Sequence, residues 1–209
     1  MKNAIKILLS ALSWVLVAPL AYPVAWLGPM DGRDLIFQLG SHTMSLVPGI
    51  VGVYLRRQYY RITLGLKSQG FVIEFGAILA QRGIEIGNFT YVGPFCNVGL
   101  CALGNDVLLG SNVDIVSGKQ THYCERVDVP IREQGGVLKK VRIGNDCWIG
   151  NKSVVLVDVA EGTVVGAGSV VVAEFPPRSI IVGNPARWIR DRAAAVEEKT
   201  SSGASGATL

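Results

Sequence analysis

An aliphatic residue followed by glycine recurs through the middle of the chain at six-residue steps, with one residue deleted between Val98-Gly99 and Leu103-Gly104. This repeat constrains the fold more than any other feature. The pairs are Ile86-Gly87, Val92-Gly93, Val98-Gly99, Leu103-Gly104, Leu109-Gly110, Ile143-Gly144, Ile149-Gly150 and Val165-Gly166. This spacing fits neither a helical period nor the alternation of a half-buried strand. It predicts a parallel β-helix with a triangular coil, in which each side takes about six residues and the aliphatic side chains stack inside. We therefore predict an all-β domain over residues 71–183.

Small side chains recur at the fifth position of the repeat and are predicted to point inward at the corners. They are Thr90, Cys96, Val107, Val113, Cys147, Ser153 and Ser169. The four cysteines show neither paired metal-ligand spacing nor a secreted disulfide framework, so we expect them to be reduced and structural. A nucleophilic role for Cys124, which lies close to His122, is the alternative. No metal site is expected.

Two long apolar runs precede the repeat and predict a separate N-terminal unit at 1–57, followed by a connector at 58–70. No charged residue occurs at 7–28 or at 35–55. Each run is about as long as a helix that crosses the ~30 Å hydrocarbon core of a bilayer. Lys2 and Lys6 precede the first run, and Arg56, Arg57 and Arg61 follow the second. By the positive-inside rule both flanks are cytoplasmic, which predicts a helical hairpin at the cytoplasmic face of the inner membrane.

Prolines at positions 19, 23 and 48 are expected to break or kink these runs, so the hairpin either spans the membrane or re-enters it. A cleavable signal peptide is an alternative for the first run, and an apolar helical pair buried in an oligomer is an alternative for both. His42 lies inside the second run, where an ionisable group is a functional candidate or a hydrogen-bonded helix residue. The net charge of +4 comes with no basic stripe interleaved with aromatics, so nucleic acid is not expected as a partner.

The repeat is interrupted at 116–140, and His122 lies near the start of the interruption. A segment of this length must leave the coil as an arm, and loops on a rigid scaffold commonly carry functional residues. Neutral imidazole can take a proton from a hydroxyl at cellular pH. His122 is therefore the candidate general base, and an ordinary surface histidine is the alternative.

Beyond the arm, three blocks resemble the hexapeptide-repeat O-acetyltransferases, a family with maltose, galactoside, nodulation-factor, capsule and exopolysaccharide branches. They are Ile143-Gly144-Asn145-Asp146-Cys147-Trp148-Ile149-Gly150, Val165-Gly166-Ala167-Gly168-Ser169-Val170-Val171 and Val182-Gly183-Asn184-Pro185-Ala186-Arg187-Trp188-Ile189-Arg190. Parallel crossovers are nearly always right-handed, but the resemblance implies a left-handed β-helix. It also implies a homotrimer that binds acetyl-coenzyme A between subunits, with the arm histidine as base.

Carried over by position, the resemblance assigns roles to six cofactor-binding residues. Trp148 would line the pantetheine channel, and the backbone N–H of Asn151 would face the oxyanion. Ala167 and Gly168 would leave room for the cofactor chain, and Arg187 and Arg190 would bind its phosphates. A packing role is the alternative for each. The family's usual Thr-Lys after the second block is replaced here by Val172-Ala173, which removes one phosphate contact.

Three polar residues, Asn97, Asp114 and Glu125, are candidates to orient His122 or hold the acceptor, and spacing does not single one out. The expected acceptor is a sugar hydroxyl, on a small molecule or on a membrane- or lipid-linked saccharide of exopolysaccharide or capsule synthesis. Xenobiotic or serine-type acetyl transfer and a non-catalytic membrane scaffold are the alternatives. A γ-type carbonic anhydrase on this scaffold is excluded, because it needs three histidine ligands and the chain has two histidines.

The end of the chain predicts a short helix at 184–198 and a mobile tail at 199–209. Asn184 would be the N-cap and Pro185 the first helical residue.

Overall fold

The computed structural model describes residues 2–28 and 34–194. The helices are α1 (Lys2–Leu27), α2 (Leu35–Ser45) and α3 (Gly49–Thr63), with a single 3₁₀ turn at Ile131–Glu133. The strands are β1 (Val72–Ile73), β2 (Ile78–Leu79), β3 (Glu85–Ile86), β4 (Tyr91–Val92), β5 (Asn97–Val98), β6 (Cys101–Leu103), β7 (Leu108–Leu109), β8 (Asp114–Ile115), β9 (Val141–Ile143), β10 (Trp148–Ile149), β11 (Val154–Val155), β12 (Val164–Val165), β13 (Val170–Val171), β14 (Ser179–Val182) and β15 (Arg187–Asp191).

Successive strands fall in turn on three parallel sheets, which confirms the predicted β-helix. Face A contains β1, β4, β7, β10, β12 and β14 in that order; face B contains β2, β5, β8, β11 and β13; face C contains β3, β6 and β9. Each strand pairs in parallel with the strand one coil later, as in Ile73 with Val92 and Leu79 with Val98. The sequence repeat therefore corresponds to one side of a triangular coil.

The core is a stack of aliphatic side chains from the first position of each repeat. On face A the inward row is Ile73, Val92, Leu109, Ile149, Val165 and Ile181, and every member is at most 1% exposed. The small fifth-position residues are also buried, as predicted. Several close a corner with a side-chain hydrogen bond to a glycine carbonyl one coil later: Thr90 Oγ1 donates to Gly104 O over 2.7 Å, and Ser153 Oγ to Gly166 O over 3.0 Å.

The second apolar run is divided at Pro48, where a break was expected. The chain turns between Ser45 and Gly49, because Pro48 cannot continue a helix, and the run is divided between α2 and α3. Helix α3 then continues to Thr63, past the predicted boundary at 57. The two helices lie against the first coil, where Ser41 Oγ donates to Leu79 O over 3.0 Å.

The first apolar run forms one continuous helix, although breaks were expected at its prolines. Both Pro19 and Pro23 lie inside α1, which packs along α3. Among the described residues, Lys6–Leu27 is the one helical stretch that is long and apolar enough to cross a membrane, judged by length and composition. The turn at 29–33 lies outside the described residues.

The predicted C-terminal helix is wrong over the part that can be compared. Residues Arg187–Asp191 form β15, which pairs antiparallel with β14. Without it, β14 would be an open sheet edge with unpaired backbone groups. Gly183, at φ +106°, and a cis Asn184–Pro185 peptide reverse the chain where a helix N-cap was expected. The rest of the predicted helix, from 195, and the tail at 199–209 lie outside the described residues.

Candidate active site

Face B carries a polar pair in an otherwise aliphatic outward row. In register across the coils, the row is Ile78, Asn97, Asp114, Val154 and Val170. Asn97 and Asp114 are direct neighbours in the ladder, and neighbouring strands lie ~4.8 Å apart. Both line a groove of about 440 Å³, together with Gln81 from the first coil and Thr121 from the arm. Among the described residues, neither side chain has a hydrogen-bond or ion-pair partner, so both are available to a ligand.

The segment at 116–140 leaves the coil as the predicted arm. It departs from face B after β8 and returns to face C at β9. Its two limbs are joined by backbone hydrogen bonds: Lys139 N–H donates to Ser117 O and Val137 N–H to Gln120 O, both over 2.8 Å. Beyond His122, Tyr123 N–H donates to Gly135 O over 3.0 Å. His122 is thus held on a paired limb of the arm rather than in a free loop.

His122 is exposed and follows Thr121, which lines the face B groove. Within the described part of the chain, no side chain forms a hydrogen bond or ion pair with its ring. The ring is therefore available to an acceptor hydroxyl. His42, the other histidine, is exposed on α2, and its carbonyl accepts a hydrogen bond from Ser45 Oγ over 2.7 Å.

Glu125 does not belong with Asn97 and Asp114. It is exposed beyond His122 and accepts a hydrogen bond from the backbone N–H of Cys124 over 3.1 Å. The outer part of the arm is instead braced by Gln134, whose side-chain amide donates to the carbonyls of Arg126 and Val129, both over 2.7 Å. Asn97 and Asp114 therefore lie together in the groove, and Glu125 lies apart from them.

The cysteines differ in their surroundings. Cys96, Cys101 and Cys147 are buried, whereas Cys124 is exposed. Burial raises the pKa of Cys96 to about 11 and that of Cys101 to about 12, and it also raises the pKa of Cys147. Within residues 2–28 and 34–194, no group of three His, Cys, Asp or Glu side chains is arranged to hold a metal ion.

Trp148 lies on face A, away from the His122 groove. The outward row of that face is Val72, Tyr91, Leu108, Trp148, Val164 and Ile180. Leu108 is 49% exposed and Trp148 is 55% exposed, so face A presents an apolar strip to its surroundings.

Asn151, Ala167 and Gly168 lie together at the corner between faces A and B. The side chain of Asn151 accepts from Ser111 N–H over 2.9 Å, and its carbonyl accepts from Gly168 N–H over 2.8 Å. At the corner between faces C and A, backbone N–H groups donate to asparagine side chains one coil later. Asn88 N–H, for example, donates to the side-chain oxygen of Asn105 over 2.8 Å. Ala167 stands one coil after Asn151 and offers no such acceptor. Among the described residues the N–H of Asn151 is therefore unpaired and available to an oxyanion.

Arg187 and Arg190 lie on β15, beside the far end of face A. Arg187 is exposed and donates to its neighbour's carbonyl, Ala186 O, over 3.1 Å. These two arginines, Trp148 and the A–B corner are absent from the lining of the face B groove. Within one chain, the predicted cofactor residues and the predicted base therefore occupy different surfaces.

The comparisons with known proteins agree with this architecture. No family model matches the chain. A Mycobacterium tuberculosis protein that is named as an acetyltransferase is 30% identical over 155 residues, covering 63% of this chain and 52% of that protein. The galactoside O-acetyltransferase of Escherichia coli is 33% identical over 93 residues, covering 43% of each chain. A hexapeptide-repeat acetyltransferase structure from Vibrio cholerae superposes with a TM-score of 0.58 at 21% identity, over 74% of this chain and 90% of that one.

The chain is similar in sequence to acetyltransferases and shares the fold of a hexapeptide-repeat acetyltransferase. It spans about half the length of the curated relatives it matches. An N-acyltransferase of Bacillus cereus in complex with dTDP and coenzyme A has a TM-score of 0.51 at 17% identity, over 71% of this chain and 96% of that one, and shares the fold.

Two groove residues of this hexapeptide-repeat protein were not predicted from sequence. Gln81 precedes the first recognisable repeat at Ile86, so no pattern placed it on face B. Thr121 adjoins His122 and could have been found only by assuming that the arm folds back over the groove.

Proposed function

We propose that the protein is an acetyl-coenzyme A-dependent O-acetyltransferase in which His122 is the general base. The observation that carries this proposal is the exposed His122 ring on a hydrogen-bonded arm, next to a groove that contains Asn97 and Asp114. Neither of these two side chains has a partner within the described part of the chain. Sequence relatives with acetyltransferase names, one of them a galactoside O-acetyltransferase, support this choice of reaction.

In the proposed reaction, His122 takes the proton of the acceptor hydroxyl while that oxygen attacks the thioester carbonyl. The N–H of Asn151 donates a hydrogen bond to the oxyanion that forms, a contribution typically worth about 3 kcal/mol. The C–S bond then breaks, and the imidazolium of His122 returns its proton to the departing thiolate. The products are the acetyl ester and free coenzyme A. Asn97 and Asp114 hold the acceptor through its hydroxyls.

The corner between faces A and B is suited to bind acetyl-coenzyme A, the acetyl donor. Gly168 has φ +70°, and a β-carbon built on it would meet no atom within 4 Å, so the backbone there is open to a ligand chain. Ala167 is exposed beside it, and Trp148 offers an aromatic wall on face A. Arg187 and Arg190 are proposed to bind the phosphates of coenzyme A.

We further propose a homotrimer of left-handed β-helices. His122 and Trp148 lie on different faces of one chain, so a catalytic site that uses both requires a second copy. Docking of the apolar strip of face A beside the arm of a neighbouring copy would join the two halves and bury Leu108 and Trp148.

The acceptor is proposed to be a saccharide hydroxyl on a membrane- or lipid-linked intermediate at the cytoplasmic face of the inner membrane. Helix α1 supports this location, because apolar side chains such as Ile7, Leu8 and Leu20 are each more than 60% exposed along it. Soluble proteins seldom expose so large an apolar surface without a partner or a membrane.

The test incubates host membranes with the full chain and acetyl-coenzyme A labelled in the acetyl group, and the labelled product is identified by mass spectrometry. Label in an ester of a lipid-extractable saccharide supports the proposal. Label in free serine or in a soluble drug would overturn the proposal that the acceptor is a membrane- or lipid-linked saccharide. Failure of the purified protein to bind acetyl-coenzyme A would overturn the enzyme assignment in favour of a scaffold.

A further inference from the structure

A cationic cleft lies between the first half of α1 and the second half of α3, away from the face B groove. It encloses about 470 Å³ and is lined by Lys6, Arg57 and Arg61, with no acidic side chain in its lining. Gln58 Nε2 donates to Ser10 Oγ over 2.7 Å and ties the two helices together at the cleft. Three cations thus face one space.

The two arginines are fixed in position rather than mobile. Arg57 Nε donates to Phe71 O over 2.7 Å, and Arg61 Nη2 donates to Ser68 O over 3.0 Å. The Arg57 guanidinium also lies over the Tyr54 ring at 5.4 Å, and both guanidinium groups lie 5.9 Å from the centre of the Phe71 ring. Such fixing reduces the entropy lost when a ligand binds.

No acidic side chain at 2–28 or 34–194 compensates the positive charge of the cleft. Among the described residues, no carboxylate forms an ion pair with Lys6, Arg57 or Arg61. The Nε atom of Arg61 is buried without a hydrogen-bond partner. Burial lowers the pKa of Arg57, and the neighbouring Arg61 lowers it further, whereas Tyr54 opposes the change. A bound anion would relieve this repulsion.

The rim of the cleft belongs to the exposed apolar surface of α1. Ile7, which lines the cleft, is 70% exposed, and the neighbouring Leu8 is 68% exposed. Trp14, at 46% exposure, lines the cleft from the same helix. Tryptophan is favoured at the level of lipid headgroups, where its ring meets both apolar and polar surroundings. A ligand here would carry an anionic group for the cations and an apolar part for the rim.

We propose that this cleft binds the phosphate of an anionic membrane lipid, with Arg57 and Arg61 as the main donors. Guanidinium groups bind phosphate oxygens bidentately, and Lys6 adds a point charge at the mouth. The lipid's acyl chains would then lie along the exposed apolar side chains of α1. The inference rests on the proposed membrane association and adds a specific headgroup site to it.

The experiment measures cosedimentation of the purified full chain with three kinds of vesicle. One is neutral phosphatidylcholine, one contains phosphatidic acid, and one contains oleate at the same surface charge. The pocket variant Arg57→Gln/Arg61→Gln is compared with Arg126→Gln/Arg132→Gln, which removes the same charge from the exposed arm. Lys6→Gln is the second pocket variant, because the structure shows no contact that would make Lys6 necessary for folding.

Tightest binding is expected to the phosphatidic acid vesicles. Arg57→Gln/Arg61→Gln should weaken it by about tenfold or more, Lys6→Gln by a few-fold, and the arm variant by less than about twofold. Equal binding to phosphatidic acid and oleate vesicles would overturn the phosphate site and leave membrane association standing. Binding to none of the vesicles would overturn membrane association as well. Displacement by millimolar inorganic phosphate would reassign the cleft to a soluble phosphate and overturn the lipid. Binding of acetyl-coenzyme A, measured in parallel, reports on the proposed enzyme function independently.

Discussion

Gly136 packs directly against the carbonyl of Thr121, the residue before His122. A β-carbon built at 136 would overlap the Thr121 carbonyl and would stand 2.9 Å from the backbone nitrogen of His122. The outgoing limb of the arm can therefore take its position only if residue 136 has no side chain. Gly136 is a positioning residue for the proposed base.

Gly136→Ala is expected to lower kcat for acetyl transfer by about tenfold or more, because a shift of about 1 Å at a catalytic group is costly. The dissociation constant for acetyl-coenzyme A should stay within about twofold. Gly135→Asn is the matched control: a β-carbon at Gly135 meets no atom within 4 Å, and asparagine tolerates its φ of +81°. Equal kcat for the two variants would argue against the positioning role.

His122→Ala is expected to reduce acetyl transfer by about 10²–10⁴-fold, the usual contribution of a general base, with acetyl-coenzyme A binding retained. His42→Ala should keep its activity, because His42 is exposed on α2 and lies outside the face B groove. Steady-state rates with a model sugar acceptor provide the measurement. Full activity of His122→Ala would remove the base from the proposed mechanism.

Leu108→Glu is expected to convert the proposed trimer to monomers and to abolish transfer. A charge in the centre of the apolar strip on face A would have to be desolvated on assembly. Val127→Glu is the control, since Val127 is fully exposed on the arm. Sedimentation velocity gives the masses, and an active Leu108→Glu monomer would show that one chain suffices.

Thiol titration is expected to find one reactive cysteine in the native protein at pH 8 and four in denaturant. Cys124 is exposed, whereas the thiols of Cys96 and Cys101, with pKa values raised to about 11 and about 12, are ionised to about 0.1% or less at that pH. Cys124→Ser should abolish the native reaction. The folded pKa values of Cys96 and Cys101 lie above the unfolded value of 9.0, so the folded state favours the protonated thiols. The stability that these buried thiols contribute is complete below pH 9 and is lost as the pH rises toward 11–12. A second fast thiol at pH 8 would contradict the burial.

Arg56→Met is expected to lower the free energy of unfolding by about 3 kcal/mol, through the loss of bonds to buried acceptors. Arg56 is fully buried, and its guanidinium donates to Ile73 O, Met44 O and Val47 O over 2.8, 3.0 and 2.7 Å. Burial lowers its pKa, which Glu74 and Tyr60 partly oppose. Arg132→Met, on the exposed arm, should change stability by about 0.5 kcal/mol or less. Urea unfolding in one buffer compares the variants, and equal stabilities would refute a structural role for Arg56.

The coils could be predicted from sequence because one short pattern fixes them. Each aliphatic-glycine pair indicates both an inward side chain and a corner. The repeat alone therefore predicts the extent of the β-helix and the rows of side chains that are buried in it. The C-terminal segment could not be predicted this way. Asn184-Pro185 has the local chemistry of a helix start, but the open edge of β14 offers Arg187–Asp191 backbone partners that a local pattern does not reveal.

The candidate site was only partly predictable. His122 stood out because it lies in the one break of the repeat. The pairing of Asn97 with Asp114 depends on register between coils, which the spacing did not establish. Arg56 shows the same limit: its place after an apolar run predicts a cation flanking a membrane helix, but inside the protein it donates to the carbonyls of Met44 in α2 and Ile73 in β1.

The number of coils sets the distance between α2 and the start of the arm. Helix α2 is attached to the first coil through Ser41 and Leu79, and the arm leaves from the third coil, after β8. Because each coil adds one inter-strand spacing of ~4.8 Å, about 10 Å separates Leu79 from the strand after which the arm departs. Deleting one of the coils between them would bring the start of the arm about 5 Å nearer α2. The height at which an acceptor hydroxyl is met is therefore set in discrete steps by the number of coils.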